Sequence, residues 1–233
     1  MIYIPKKLIV LDILSLIFLA SAVCLVFFYT PVETSMGLVQ KVFYFHVAHA
    51  WIGMLSFLVA AITSVLFLIK GNFQYDFKSL SAVEIGLYFT IIGVISGSIW
   101  ARPAWNTWWT WDPRLTTTSI MALIYIGYIF LRKSLDDPAK RSRIAAVYCI
   151  LGFFSVPLTF FSIRGYRSIH PVVIGGGSKE LSMTFSMFFT LLFSIITFTI
   201  IFCSLFWHRY LLEKLNEEVE KSKYYENSDT ESD

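Results

Sequence analysis

The chain has 233 residues, of which 56% are hydrophobic and 15% charged, and its mean hydropathy is +0.65. No soluble domain of this length needs so much apolar surface, and the apolar residues fall in long blocks, so the sequence describes a polytopic membrane protein. A formal charge of +3 is too small to suggest a nucleic-acid partner, and three cysteines without a C-x-x-C spacing argue against a redox pair, a zinc site or covalent cofactor attachment.

Six apolar segments are predicted, at about 8–29, 42–69, 81–100, 116–131, 144–163 and 182–207. Lys6 and Lys7 precede the first as in a signal peptide, and Ala20-Ser21-Ala22 looks like a cleavage site. The run continues to Tyr29, long enough to span, so an uncleaved first transmembrane helix is expected. The second segment exceeds what the hydrocarbon needs, so its far end can stand proud of it. Gly93 and Gly97 permit close packing of the third. The fourth is short unless 113–115 form its first turn. Asp12 and Glu84 near segment ends read as side chains snorkelling to the interface, and neither is assigned a function.

Lys and Arg set the orientation. About two-thirds of the 19 fall in the N-terminus (Lys6, Lys7), the second loop (Lys70, Lys78), the fourth loop (Arg132 to Arg143) and the tail. Both termini are therefore expected in the cytoplasm. Residues 1–207 form the membrane domain and 208–233 a cytoplasmic tail. The tail extends the last helix for a few turns and ends in an acidic, disordered stretch from Glu226.

The third loop, at 100–116, reads W-A-R-P-A-W-N-T-W-W-T-W-D-P-R-L-T and holds five of the seven tryptophans. Trp105, Trp108 and Trp109 at i, i+3 and i+4 would share one face of a short interfacial helix, with Pro103 in its first turn. Asp112-Pro113 reads as the N-cap and first residue of the next helix. An aromatic belt is one explanation, but belts scatter over many helix ends, whereas this cluster suits a platform for a flat apolar ligand.

His46 and His49 lie at the outer end of the second segment, and His170 lies in the last outer loop, on the same side as the tryptophans. His208, at the other end, reads as an interfacial residue. Imidazoles beside an aromatic shelf fit haem. His46 and His170 would ligate the iron, and Trp105, Trp108, Trp109 and Trp111 would face the macrocycle. The external cations Arg102, Arg114, Arg164 and Arg167 would meet the propionates. Asp112 is expected to cap rather than to touch the ligand.

At these residues the sequence resembles the CcmC family of haem-handling proteins of cytochrome c biogenesis. The family pattern W-G-x-W-W-x-W-D-x-R-L-T stands here as the run from Trp105 to Thr116, with Asn106 in place of glycine. A second motif, Y-L-H-V-P, matches Tyr44-Phe45-His46-Val47-Ala48, with Ala48 replacing proline and His49 additional. The likeness covers nearly the whole chain. It implies six helices, His46 and His170 as axial ligands, and haem b held transiently at the outer face of a bacterial inner membrane. It further implies presentation to a CcmE-like haem chaperone, beside CcmA-like and CcmB-like ABC-type subunits and a small CcmD-like protein. The chain lacks a P-loop motif, so any ATP use falls to a partner. Attachment of haem to an apocytochrome is the nearest alternative, with a haem-conducting membrane subunit beside it. A b-type cytochrome would want four histidines between facing helices, and a secondary transporter would want broken helices and charges at the midplane.

Overall fold

A computed structural model describes residues 5–34, 36–165, 167–173 and 183–230, with side chains through Lys223. Regular structure among them is entirely helical. Helix α1 spans Lys6–Cys24 and runs into a π-helical turn, Leu25–Tyr29. It is followed by α2 (Gln40–Lys70), α3 (Phe73–Trp105), α4 (Pro113–Lys133), α5 (Pro138–Phe153), α6 (Ser155–Gly165) and α7 (Phe185–Thr230). With α5 and α6 forming one span, six are long and apolar enough to cross a membrane, making this a multi-pass membrane protein. Both described chain ends and the α2–α3 and α4–α5 turns share one end of the bundle, the terminal end. The opposite one is the site end.

Local chemistry explains the helix limits. Gly71, at φ 66°, closes α2 in the left-handed conformation, and the Asn72 side chain accepts the Gln74 amide at 2.9 Å to open α3. That cap lets α3 start well before the apolar run predicted at 81. Asp137 followed by Pro138 opens α5 in the same way. Helix α7 continues to Thr230, past Glu226, where composition predicts disorder. Pairs such as Glu217–Lys221, spaced four residues apart, support the extension.

The fifth span breaks at Phe154, between α5 and α6. Pro157 has no amide to give the carbonyl four residues back, and its ring crowds that carbonyl. Helix α5 packs against α2 and α4, whereas α6 leans on α4 and scarcely touches α2. The break therefore closes the bundle at the terminal end and parts it at the site end.

Small residues bring α2 and α3 together in the most extensive helix pair of the fold. A Cβ on Gly86 would lie 2.8 Å from Ser56 and Phe57, and one on Gly53 2.5 Å from Thr90. The terminal half is sealed by side chains. Phe57 stacks on Tyr125 with ring centroids 3.5 Å apart. Below them Arg132 grips Asp76 through two bonds, of 2.6 and 2.8 Å, and Ser142 donates to the same carboxylate. The two residues read as snorkelling are helix pins. Asp12 accepts from Ser204 of α7 and pairs with His208, and Glu84 pairs with Arg209.

Candidate functional site

The parting of α6 from α2 leaves a cavity of about 490 Å³ at the site end, walled by α2, α3, α4, α6 and α7 and mostly apolar. That volume is in the usual range for small-molecule sites, about 300–1,000 Å³.

His46 reaches it from the second turn of α2, with its ring laid against α3. A Cβ on Gly97 would lie 2.7 Å from the ring's Cε1, so the seat exists only because residue 97 is glycine. One turn earlier on α3, the Gly93 carbonyl stands 2.9 Å from Nδ1, with Ser96 Oγ 3.4 Å away. A carbonyl only accepts, so Nδ1 carries the proton and Nε2 keeps its lone pair.

His170 enters from the segment after α6. Its amide donates to Ser168 Oγ at 3.0 Å, and its Nδ1–H donates to the Pro171 carbonyl at 3.0 Å. Among the described residues no hydrogen bond reaches its Nε2, which again is the nitrogen left for a ligand. Burial pushes this imidazole down to about 4, the nearby Arg114 and His46 act in the same direction, and the Pro171 carbonyl and Asp112 oppose them. The ring is therefore neutral near pH 7 and able to ligate.

The two rings have centroids 6.4 Å apart and are tilted by 47°. Two metal–imidazole bonds of about 2 Å each, plus the short distance from each coordinating nitrogen to its own ring centre, fill such a gap. Among the described residues no group of three or more His, Cys, Asp or Glu stands together. Two imidazoles alone suit a metal that brings its equatorial ligands with it, as a metallo-macrocycle does. His49 stands elsewhere. Its Nδ1–H donates to the Phe45 carbonyl at 2.6 Å, and its ring packs on Phe89 and Phe198 outside the cavity lining.

The short helix expected around Trp105–Trp109 is not formed. Helix α3 carries on through Pro103 to Trp105 and stops at Asn106, whose φ of 56° is left-handed. Glycine takes that conformation freely, and asparagine tolerates it better than most residues, which explains the exchange at this position. The chain then runs without regular structure to α4, and it still places Trp105, Trp108 and Trp109 on the cavity wall. Trp105 stands edge-on to His170 at 6.2 Å and to Trp100 at 5.2 Å. Trp111 is 78% exposed, stands edge-on to Trp109 and does not line the cavity.

The arginines divide as sharply. Arg114 lines the cavity and donates through Nη1 to the Thr159 carbonyl of α6 at 2.7 Å. Among the described residues no carboxylate forms an ion pair with it. Arg164 also lines the cavity, with its guanidinium over the Phe160 ring. Arg102 instead turns back on Asn106, donating to its carbonyl at 2.6 Å and its side chain at 2.7 Å, which satisfies the end of α3. Arg167 is exposed and away from the lining. Sequence reasoning passed over Trp100 and Trp51 as wall residues. Trp100 belongs to the same tryptophan run, and its burial at 3% was not visible there.

The family model described as Heme exporter protein C, CcmC, matches residues 3–225. This chain belongs to the CcmC family. It is 33% identical to heme exporter protein C of Bradyrhizobium diazoefficiens over 156 residues, covering 65% of this chain and 59% of that one. Against heme exporter protein C of Escherichia coli K12 the identity is 28% over 144 residues, covering 62% and 59%. A Marchantia polymorpha protein named as ccmC-like, mitochondrial and of cytochrome c biosynthesis is 30% identical, covering 65% and 64%. The matched stretch thus spans about three-fifths of the length of these relatives.

Proposed function

We propose that this member of the CcmC family binds haem b between His46 and His170 and presents it, rather than transforming it, for cytochrome c maturation. The observation that carries this reading is the apposition of two imidazoles at 6.4 Å with both Nδ1 atoms committed to backbone carbonyls. Each Nε2 is left with its lone pair for a metal between them. Haem would supply the iron and its four equatorial nitrogens. The chain supplies axial nitrogens, an apolar wall of Trp105, Trp108 and Trp109, and the cations Arg114 and Arg164 for the propionates.

Presentation fits the site better than permanent storage does. Trp108 lines the cavity and is still 58% exposed, so cargo held against it keeps an edge open to a receiving protein. With the Lys- and Arg-rich terminal end in the cytoplasm, that edge faces outward from a bacterial inner membrane. There a CcmE-like chaperone would collect the haem, with CcmA-like, CcmB-like and CcmD-like subunits as companions.

The test is spectroscopic. The full chain, purified in detergent from cells that make haem, should show the Soret band of six-coordinate, low-spin haem. His46→Ala and His170→Ala should each lower haem content several-fold and abolish the low-spin spectrum. If both variants keep the wild-type spectrum and haem content, the ligand assignment fails.

A further inference from the structure

Asp112 opens α4, with its Oδ1 accepting the Arg114 amide at 2.9 Å, but that bond uses a fraction of what a carboxylate accepts. The same oxygen accepts the Ser168 hydroxyl at 2.8 Å, and Oδ2 accepts the Ile169 amide at 2.9 Å. Ser168 Oγ in turn accepts the His170 amide at 3.0 Å. The carboxylate is 8% exposed, and these partners lie 56 and 57 residues further along the chain. One buried side chain thus ties the start of α4 to the two residues before a histidine in the fifth connection.

We propose that Asp112 is the positioning residue of His170: its carboxylate fastens the histidine segment to the start of α4 and so sets where the imidazole meets the cavity. This rests on the reading of His170 as an axial ligand. Among the described residues, the hydrogen bonds that tie positions 168–170 to another element all end on Asp112. His170 binds its own neighbour, Pro171, and no helix carries it, whereas hydrogen bonds to a buried carboxylate are short, directional and costly to leave unmade. A helix needs only one acceptor at its N-cap, and asparagine provides that as well as aspartate does. The second oxygen is surplus to capping, and it is spent on Ile169.

Asp112→Asn separates the two roles. Its amide oxygen still caps α4, but its NH2 group then faces the Ile169 N–H, donor against donor. Hydrogen exchange on the ligand-free protein in detergent reads the difference. In D112N the Ile169 and His170 amides should exchange roughly tenfold faster or more, as expected for losing a hydrogen bond to a charged group. The Thr116 and Thr117 amides of α4 should stay protected. In the haem-loaded protein the same variant should shift from six-coordinate low-spin to five-coordinate high-spin haem, and added imidazole should restore the low-spin form. Ser168→Ala, which leaves the cap whole, should speed exchange at His170 by a smaller factor.

Unchanged exchange and a wild-type spectrum in D112N would overturn the proposal. So would loss of protection along α4 together with the loop, which would make Asp112 a capping residue and nothing more. If the wild-type protein shows no histidine-dependent haem spectrum, the proposed function fails, and the exchange experiment alone then decides whether Asp112 holds the loop.

Discussion

The two histidines reach one cavity by opposite means. His46 is carried by a 31-residue helix and seated against another, and what holds its ring is backbone: a missing Cβ at Gly97 and a carbonyl at Gly93. His170 stands on a non-helical segment, and what holds it is side-chain chemistry, through Ser168 and Asp112. Backbone in the interior of two packed helices moves only if the bundle opens, while a loop held by a few hydrogen bonds moves locally. A site that must both bind and release is served by that asymmetry. Under the proposed function, His46 would be the fixed post and His170 the ligand that comes away first.

The sharpest way to break the contrast is at the fixed post. Gly97→Ala places a methyl 2.7 Å from the His46 ring, which cannot retreat without giving up the Gly93 carbonyl. The expected result is loss of low-spin haem as complete as in His46→Ala, with the fold destabilised by about 1–3 kcal/mol through overpacking. Absorption spectra and thermal melting together check it, and a wild-type spectrum would show that the seat is not rigid.

A smaller effect sharpens the description of the movable ligand. His170 titrates at about 4 in the fold, against 6.5 as the ordinary value, because burial and the nearby Arg114 and His46 disfavour its charged form. As pH falls below 6.5 the unfolded chain takes up this proton first, so the stability linked to His170 declines between pH 6.5 and 4 and is present in full above 6.5. The melting temperature of the ligand-free protein should drop across that window, and His170→Asn should flatten the slope. A slope unchanged by the substitution would assign the effect to other groups. The smallest effect belongs to Trp111, which is 78% exposed and off the cavity wall. Trp111→Ala should leave haem content within about twofold of wild type, within the usual range for surface substitutions, and a large loss would move the cargo's edge outward to it.

Much of the architecture was legible as composition, because a spanning helix has to be a long apolar run and few other structures need one. The six spans follow from that alone, and the cap at Asp112 follows from its Asp-Pro pair. The content of the site was legible as residue type: imidazoles, indoles and guanidiniums gathered at one end. The geometry was not. Helical spacing among Trp105, Trp108 and Trp109 predicted a helix, yet a left-handed Asn106 ends α3 first, and a periodic pattern does not reveal one positive φ. Arg102 and Arg114 look alike in sequence. One satisfies the carbonyl at a helix end and the other enters the cavity, a difference made by where α3 stops. Asp112 was legible only as a cap, since a bond spanning 57 residues leaves no trace in local pattern.

The stack of Phe57 on Tyr125, with Asp76 clasped by Arg132 beneath it, has an electrical consequence. A membrane that stores a proton gradient tolerates a deep hollow only if charge cannot hop from its floor to the opposite face. The ring faces that meet between Phe57 and Tyr125 carry no exchangeable hydrogen, and an ion pair with both members bonded to each other presents no net charge to attract a proton. A cavity that opens at the site end above such a plug would behave as a socket in an insulator: under the proposed function, cargo could leave at the histidines while the terminal half stays closed to charge.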